Sequence, residues 1–218
     1  MKRMDTIETI NSKTRQTYNL AARKYHELFH DELNRKEYDR NLLDHFANFF
    51  NQNSLICDAG CGPSGHIGRY VFDKGIPVLG VDISDNCIEL AREYNPHMRF
   101  ERCDMGELPF EDETFDGIIA YYSIIDTPKI HVERLFREFH RTLKPGGRLL
   151  AAVKVGTTEG YLTEVLGMKT EIYFSLFTQN DIKRYYEDGM FILEFLEQRN
   201  PYDFEINSER IFAIGKKT

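Results

Sequence analysis

Two hydrophobic patterns divide this chain. Residues 1–50 contain no Gly or Pro and repeat apolar side chains at helical spacing. Leu20, Tyr25, Leu28 and Phe29 make one stripe, and Leu42, Leu43, Phe46, Phe49 and Phe50 make another. The polar run Asn51-Gln52-Asn53-Ser54 closes this helical part. Beyond it the apolar runs shorten and end at Gly or Asp. Leu55–Cys57, Pro77–Asp82, Met98–Asp104, Phe115–Tyr122 and Arg148–Val155 read as buried parallel strands. Ser84 is placed to cap a helix whose inner face is Cys87, Leu90, Ala91 and Tyr94. Another helix is expected from about Lys129 to Leu143, followed by a tight turn at Lys144-Pro145-Gly146-Gly147.

Strand and helix alternate every 20–30 residues. That is the rhythm of a doubly wound α/β sheet with right-handed crossovers. It breaks after Val155. Residues 156–177 mix Gly156, Gly160 and Gly167 with Tyr161, Tyr173, Phe174 and Phe177, and read as a lid insertion. Thr178 caps a helix running to about Asp188. Phe191–Gln198 and Arg210–Gly215 are joined through Asn200-Pro201 with no helix, so they should pair antiparallel. The expected fold is a seven-stranded sheet, mostly parallel, with an antiparallel last strand, N-terminal helices and a lid. One domain covers 1–218: a helical cap over 1–50, a ligand-binding core over 51–155, the lid over 156–177, and a C-terminal helix and strand pair over 178–218.

Charge narrows the partners. The 218 residues carry 28 Lys and Arg against 35 Asp and Glu, a net −7. A broad grip on nucleic-acid phosphates is not expected from such a surface. The start, Met1-Lys2-Arg3-Met4-Asp5, meets acids early and lacks the apolar core of a secretory leader. No apolar run reaches the length of a membrane span. A cytoplasmic protein is therefore expected, with Cys57, Cys61, Cys87 and Cys103 as reduced thiols. Cys57 and Cys61 have no second ligand pair, so no metal site is expected. Oligomeric state is left open.

Open α/β sheets bind ligands at the carboxyl ends of their strands. The first strand ends in Asp58 and the loop Gly60-x-Gly62-x-x-Gly65, the second in Asp82, the third in Asp104-Met105. Glycines let backbone approach a ligand, and the next helix offers free N–H groups. Taken singly, the loop also fits a plain strand-to-helix turn, Asp82 a solvated strand end and Asp104 a turn cap. In this order and spacing the three acids point to a nucleoside ligand, with Asp82 on the ribose hydroxyls. Asp58 would repel a pyrophosphate beside that loop, which disfavours a dinucleotide. It suits a cationic amine, as in S-adenosylmethionine.

Asp58-Ala59-Gly60-Cys61-Gly62-Pro63-Ser64-Gly65 resembles the first motif of the class I S-adenosylmethionine-dependent methyltransferases. Val81-Asp82-Ile83-Ser84 resembles their ribose motif, and Asp104-Met105 with Leu108-Pro109-Phe110 and Phe115-Asp116 their adenine motif and fourth strand. Leu143-Lys144-Pro145-Gly146-Gly147 resembles the turn before their fifth strand. The likeness spans roughly residues 15–215 and is greatest to the small single-domain type 11, or ubiquinone-biosynthesis-like, group. It implies that the Asp58–Gly62 loop holds the methionine part, Asp82 the ribose and Asp104 the adenine amine. Ile83 and Met105 would pack on the adenine. Tyr121 and Tyr122 would face the sulfonium, and Tyr18 and Tyr25 would close over the cofactor. Helix packing is the alternative role for the last two.

Methyl transfer from a sulfonium needs placement first, and a base only where the acceptor must lose a proton. The stretch Tyr121-Tyr122-Ser123-Ile124-Ile125-Asp126 lacks the Asn/Asp-Pro-Pro-Tyr run of amide- and base-nitrogen methylation, and no Pro-Cys nucleophile is present. Family members often carry a His near the place of Asp126. Asp126 and Tyr122 are the catalytic candidates, with a helix N-cap as the alternative role for Asp126. His66 starts a helix beside the glycine loop, whereas His131 and His140 are expected in solvent. The expected activity is methyl transfer to a small, partly apolar or aromatic metabolite, the substrate site being built by residues 1–50 and 156–177. A non-catalytic cofactor-binding regulator and an NAD-dependent oxidoreductase are the rival readings, the latter disfavoured by Asp58 and Asp104-Met105.

Overall fold

Side-chain alternation in the central strands decides the architecture. The structure, a computed structural model, describes residues 5–218; the Met1–Met4 part of the leader argument lies outside the described residues. The strands are β1 (Ile56–Ala59), β2 (Val78–Asp82), β3 (Arg99–Arg102), β4 (Phe115–Tyr121), β5 (Leu143–Lys154), β6 (Glu159–Val165), β7 (Met168–Ser175), β8 (Phe191–Arg199) and β9 (Arg210–Lys217). The helices are α1 (Ile7–Phe29), α2 (Glu37–Ala47), α3 (His66–Phe72), α4 (Asp85–Tyr94), α5 (Lys129–Thr142) and α6 (Gln179–Asp188). Seven strands form one sheet in the order β3-β2-β1-β4-β5-β9-β8, in which β9 opposes both neighbours.

Ile118, Ala120, Leu149, Ala151 and Val153 face one side of the sheet; Ile119, Tyr121, Leu150 and Ala152 face the other. Each side collects its own core. Phe136 and Phe139 of α5 with Tyr185 and Tyr186 of α6 fill the first, and Leu43 and Phe46 of α2 with Ile67 and Val71 of α3 fill the second. Each such side chain contributes on the order of 1.5–3 kcal/mol by leaving water.

Helix boundaries follow local chemistry. Ser84 Oγ accepts from Cys87 N–H at 3.1 Å and starts α4. Thr178 and Asp181 cap α6 reciprocally, Asp181 N–H to Thr178 Oγ1 and Thr178 N–H to Asp181 Oδ2.

Several expectations need correction. The first 50 residues are two helices separated by a 3₁₀ turn at Glu32–Arg35. The expected α1 stripe is not its buried face: Leu20 and Leu28 are exposed, and Ile10, Thr17, Ala21 and Ala22 are buried instead. Small side chains let α1 lie close to α4 and β7, which leucines would hold apart. Tyr94 is likewise exposed, because Cys87, Ile88, Leu90 and Ala91 make the inward face of α4. Lys144–Gly147 belongs to β5: Leu143 already pairs with Phe115, and the register shifts before Gly117 meets Arg148. The motif therefore makes an irregularity within a strand, where Gly146 takes the positive φ. The 156–177 insertion is an antiparallel hairpin, β6 with β7, joined through Leu166 and Gly167 at positive φ. Among the described residues no helix is long and apolar enough to cross a membrane.

Tyr186 joins β5 to β9 from α6. Its buried hydroxyl lies 3.2 Å from the Leu149 carbonyl and 3.0 Å from that of Ala213. Tyr186→Phe should lower stability by about 1 kcal/mol without altering the fold, as read from the urea midpoint at unchanged m-value.

Candidate active site

Neighbouring strands β1 and β4 send the chain to opposite sides of the sheet, so a crevice opens at their carboxyl ends. The cleft there encloses about 860 Å³, counting the part open to solvent. That lies within the roughly 300–1,000 Å³ range of small-molecule sites. Gly60, Gly62, Asp82, Ile83, Asp104, Met105, Tyr121, Tyr122 and Asp126 line it from the sheet. Ile7, Asn11, Thr14, Tyr18 and Tyr25 cover it from α1.

The glycine loop is held from both sides. Gly60 and Cys61 N–H groups donate to the Val81 carbonyl at 2.8 and 2.9 Å. Gly62 N–H donates to Asp82 Oδ2 at 2.9 Å, and Ser84 N–H to Asp82 Oδ1 at 2.8 Å. Gly60 has φ +79°, and a Cβ there would lie 2.3 Å from Ser123 Cβ. A Cβ on Gly62, φ +65°, would meet nothing within 4 Å. The first glycine permits contact with the end of β4; the second leaves room for a ligand.

Asp104 is fixed more tightly than the sequence suggested. Its Oδ1 accepts from Gly106 N–H at 2.8 Å, and its Oδ2 from Asn11 Nδ2 at 2.7 Å and Arg134 Nη2 at 3.4 Å. Asp126 caps no helix: Pro128 stands at the α5 N-cap, and Tyr18 Oη donates to Asp126 Oδ2 at 2.8 Å. Three lining residues, Thr14, Tyr122 and Ser123, hold buried hydroxyls without a partner among the described residues. Buried polar atoms are normally satisfied, which sets these three apart from the rest of the lining.

Comparison with known proteins narrows the reading. A family profile described as "Methyltransferase domain" matches residues 56–147, a little under half of the chain. That match supports the resemblance to class I methyltransferases. It is 32% identical over 114 residues to a sterol 4-C-methyltransferase of Caenorhabditis elegans, covering 50% of this chain and 33% of that protein. It is 33% identical over 119 residues to the methyltransferase GfsG of Streptomyces halstedii, covering 51% of this chain and 42% of that one. The chain therefore spans less than half the length of these relatives. In fold it resembles the 1,6-didemethyltoxoflavin N1-methyltransferase of Burkholderia thailandensis, with a TM-score of 0.77 at 16% identity over 100% of this chain and 93% of that one. That enzyme holds S-adenosylhomocysteine in its structure.

Four of the expected cofactor residues, Asp58, Ala59, Cys61 and Gly65, do not line the cleft. Alternation turns Asp58 to the α3 side, where its Oδ2 accepts from Gly68 N–H at 3.0 Å. His66 pairs with Glu32 at 3.1 Å. His131, expected in solvent, lines the cleft from α5 with Arg134 and Leu135. The sequence reading also missed Asn11 and Thr14. Ile7, Asn11, Thr14, Tyr18 and Tyr25 recur every three, four or seven residues, one helix face. A search for polar as well as apolar periodicity would have found them.

Burial raises three acids at the ends of β1, β2 and β4. Asp58 and Asp126 are pushed up to about 7, and Asp82 to about 6. The Gly68 N–H opposes this at Asp58, the Tyr18 hydroxyl at Asp126, and the Ser84 and Gly62 N–H groups at Asp82. The folded chain thus keeps protons that an unfolded carboxylate releases near pH 4. Stability from these groups falls as pH rises from about 4 to about 7, by about 1.4 kcal/mol per proton per pH unit. Asp58→Asn should therefore be more stable than the parent at pH 8, on the order of 2 kcal/mol, and nearly equal to it at pH 4. Urea unfolding at the two pH values measures the difference.

Proposed function

We propose that this chain transfers a methyl group from S-adenosylmethionine to a small, partly apolar or aromatic metabolite. One observation carries the reading: Asp82, Asp104 and Asp126 line one cleft whose buried hydroxyls, on Thr14, Tyr122 and Ser123, have no partner among the described residues. The residues present fit the cofactor. Two acids at neighbouring strand ends match a nucleoside, and the open space before Gly62 admits the methionine part. No phosphate cradle is required.

When bound, S-adenosylmethionine supplies a methyl on a sulfonium, which an acceptor lone pair takes as the bond to sulfur breaks and leaves a thioether. The chain's residues place the partners. A carboxylate has about four lone-pair sites. Asp82 uses two on Gly62 and Ser84 and keeps the rest for ribose hydroxyls. Asp104, steadied by Asn11 and Arg134, keeps one side for the adenine amine. Ile83 and Met105 flank the base, and Tyr18, Tyr25 and Tyr121 enclose the centre. Asp58 acts from behind the loop through charge alone.

Asp126 serves as the base. Tyr18 occupies Oδ2, while Oδ1 has no partner among the described residues and is left for the acceptor proton. Being raised to about 7, this carboxyl is active in its deprotonated form, so transfer should rise with pH through that value. Tyr122 directs its unpartnered hydroxyl to the acceptor. The aromatic lining and net charge of −7 favour a small molecule over nucleic acid.

Asp82→Ala should weaken S-adenosylhomocysteine binding by roughly 10- to 150-fold while the chain stays folded. Calorimetry on the purified variant measures it, and unchanged affinity would reject the ribose role. Asp126→Asn should keep that affinity and lower labelled methyl transfer by roughly 10²- to 10⁴-fold, with loss of the pH limb near 7. A panel of small metabolites, RNA and protein extract provides the acceptors. Label confined to RNA or protein would overturn the small-molecule reading.

A further inference from the structure

The cleft is short of positive charge. Asp82, Asp104 and Asp126 line it, and Arg134 is the one Lys or Arg among the described residues that lines it with them. Arg134 Nη2 is engaged, at 3.4 Å from Asp104 and 3.5 Å from Glu107. Neither Asp82 nor Asp126 has an ion pair among the described residues, and the donors they do have are neutral. These are the Gly62 and Ser84 N–H groups for Asp82 and the Tyr18 hydroxyl for Asp126. Neutral dipoles offset only part of the cost of burying a carboxylate. A ligand that brings a cation to this wall supplies the rest.

Asp126 ends the 3₁₀ turn Ile124–Asp126 that follows β4. From α1 it faces the Tyr18 hydroxyl and, at longer range, that of Tyr25. From β2 it feels the charge of Asp82, and from β5 that of Lys154. Lys154 acts through space, with no hydrogen bond or ion pair to the carboxyl. Strand β7, packed on the same turn, directs Ser175 Oγ to the Thr127 carbonyl at 2.7 Å and leaves its charged Lys169 and Glu171 exposed. Helix α5 adds His131 to the cleft wall. Burial raises the Asp126 carboxyl to about 7 against both the Tyr18 hydroxyl and Lys154, so the charge of Lys154 does not make up for the lost water.

The charges of Asp82 and Asp126 both reach the hydroxyls of Tyr18 and Tyr25, so the four side chains form one group in the cleft. In S-adenosylmethionine the sulfonium is bonded to the C5′ carbon of the ribose. A ribose held by Asp82 therefore brings the positive charge into this group. Of the two acids there, Asp126 is the one that no backbone N–H helps to ionise. S-adenosylhomocysteine presents a neutral sulfur to the same side chains. At this wall the two ligands differ by one methyl and one full charge, and a charge counts for most where water is excluded.

We propose that Asp126 is the residue by which the cleft tells the cationic cofactor from its neutral product: the sulfonium draws the proton off the carboxyl on binding, and loss of the sulfonium charge on transfer returns the carboxyl to its protonated form. This rests on the S-adenosylmethionine reading above and adds a specificity role to the same site. On loading, one proton passes from Asp126 to solvent. On transfer, the acceptor lone pair forms the bond to the methyl carbon, the carbon–sulfur bond breaks, and the acceptor proton goes to Asp126. Sulfonium and carboxylate are neutralised together, so no net charge is left in the cleft by the step. The spent nucleoside then faces an uncharged carboxyl and has lost the attraction that held its precursor.

Calorimetry on the full chain, with S-adenosylmethionine and S-adenosylhomocysteine as the probes, reads the difference. Below about 7 the cation must first displace a proton, so preference for it grows as pH rises. The ratio of the two affinities should increase roughly 5- to 25-fold between pH 5.5 and pH 7.5. Titrations at pH 6.5 in buffers of different ionisation enthalpy should show more protons released by the cationic ligand than by the neutral one. Asp126→Asn should lose both the rise and the extra proton, and its S-adenosylhomocysteine binding reports that it is folded. Tyr18→Phe removes a donor that favours the ionised carboxyl, so the rise should move to higher pH. A ratio independent of pH in the parent, a rise that survives in Asp126→Asn, or an unmoved rise in Tyr18→Phe would overturn the proposal while leaving the cofactor reading intact. A parent chain that binds neither nucleoside would sink that reading, and this proposal with it.

Discussion

The loop after β1 presses so closely on the end of β4 that one hydrogen is all the room Gly60 has toward Ser123. Most of the site depends on this approach. The two strands are already neighbours in the sheet, and this contact sets the loop beyond β1 directly against the turn beyond β4. The loop cannot spring back, because Val81 and Asp82 hold its N–H groups from β2. The backbone of β4 then turns sharply, giving Tyr122 a left-handed conformation and leaving Ser123 against the glycine. Cofactor-side and acceptor-side groups thus derive their positions from one contact between backbones.

The sheet was legible because burial on both faces demands unbroken apolar runs, and such runs stand out in β1, β2 and β4. Asp82 was legible for the same reason: a carboxylate ending an apolar strand has few structural uses. Asp58 looked equivalent in sequence, yet it pairs with Gly80, two residues short of Asp82, and its carboxylate is taken by the Gly68 N–H of α3. Register between neighbouring strands, which decides how far each acid reaches, is set by three-dimensional pairing. The β6–β7 hairpin was hidden because its residues are mostly exposed or half-buried and show no apolar alternation. Helix α1 misled for the opposite reason. Its conspicuous leucines face solvent, and its inner face is small and polar, a face that only a neighbour's shape selects.

Electrostatically the cleft and its surroundings pull in opposite directions. Burial makes Asp82 and Asp126 of the cleft reluctant to ionise, whereas Glu205, in the grip of Lys36 and Arg199, is held down to about 2. The cleft thus keeps latent negative charge that a cationic ligand would draw out, which suits a sulfonium and an ammonium. Beyond Tyr122, Glu205 is already spent on Lys36, Arg199 and Arg210.

Helix α1 has a mechanical consequence. Near its start Asn11 holds Asp104, two turns later Tyr18 holds Asp126, and between them Thr17 meets Thr170 of β7 at 2.6 Å. A helix of 23 residues is a rod of about 34 Å. Because it is rigid, lifting it from one acid loosens its hold on the other. Occupancy at the nucleoside end and closure at the acceptor end are therefore thermodynamically linked, and by reciprocity each favours the other to the same degree. Exchange of spent nucleoside and departure of product become a single opening event, timed by the helix.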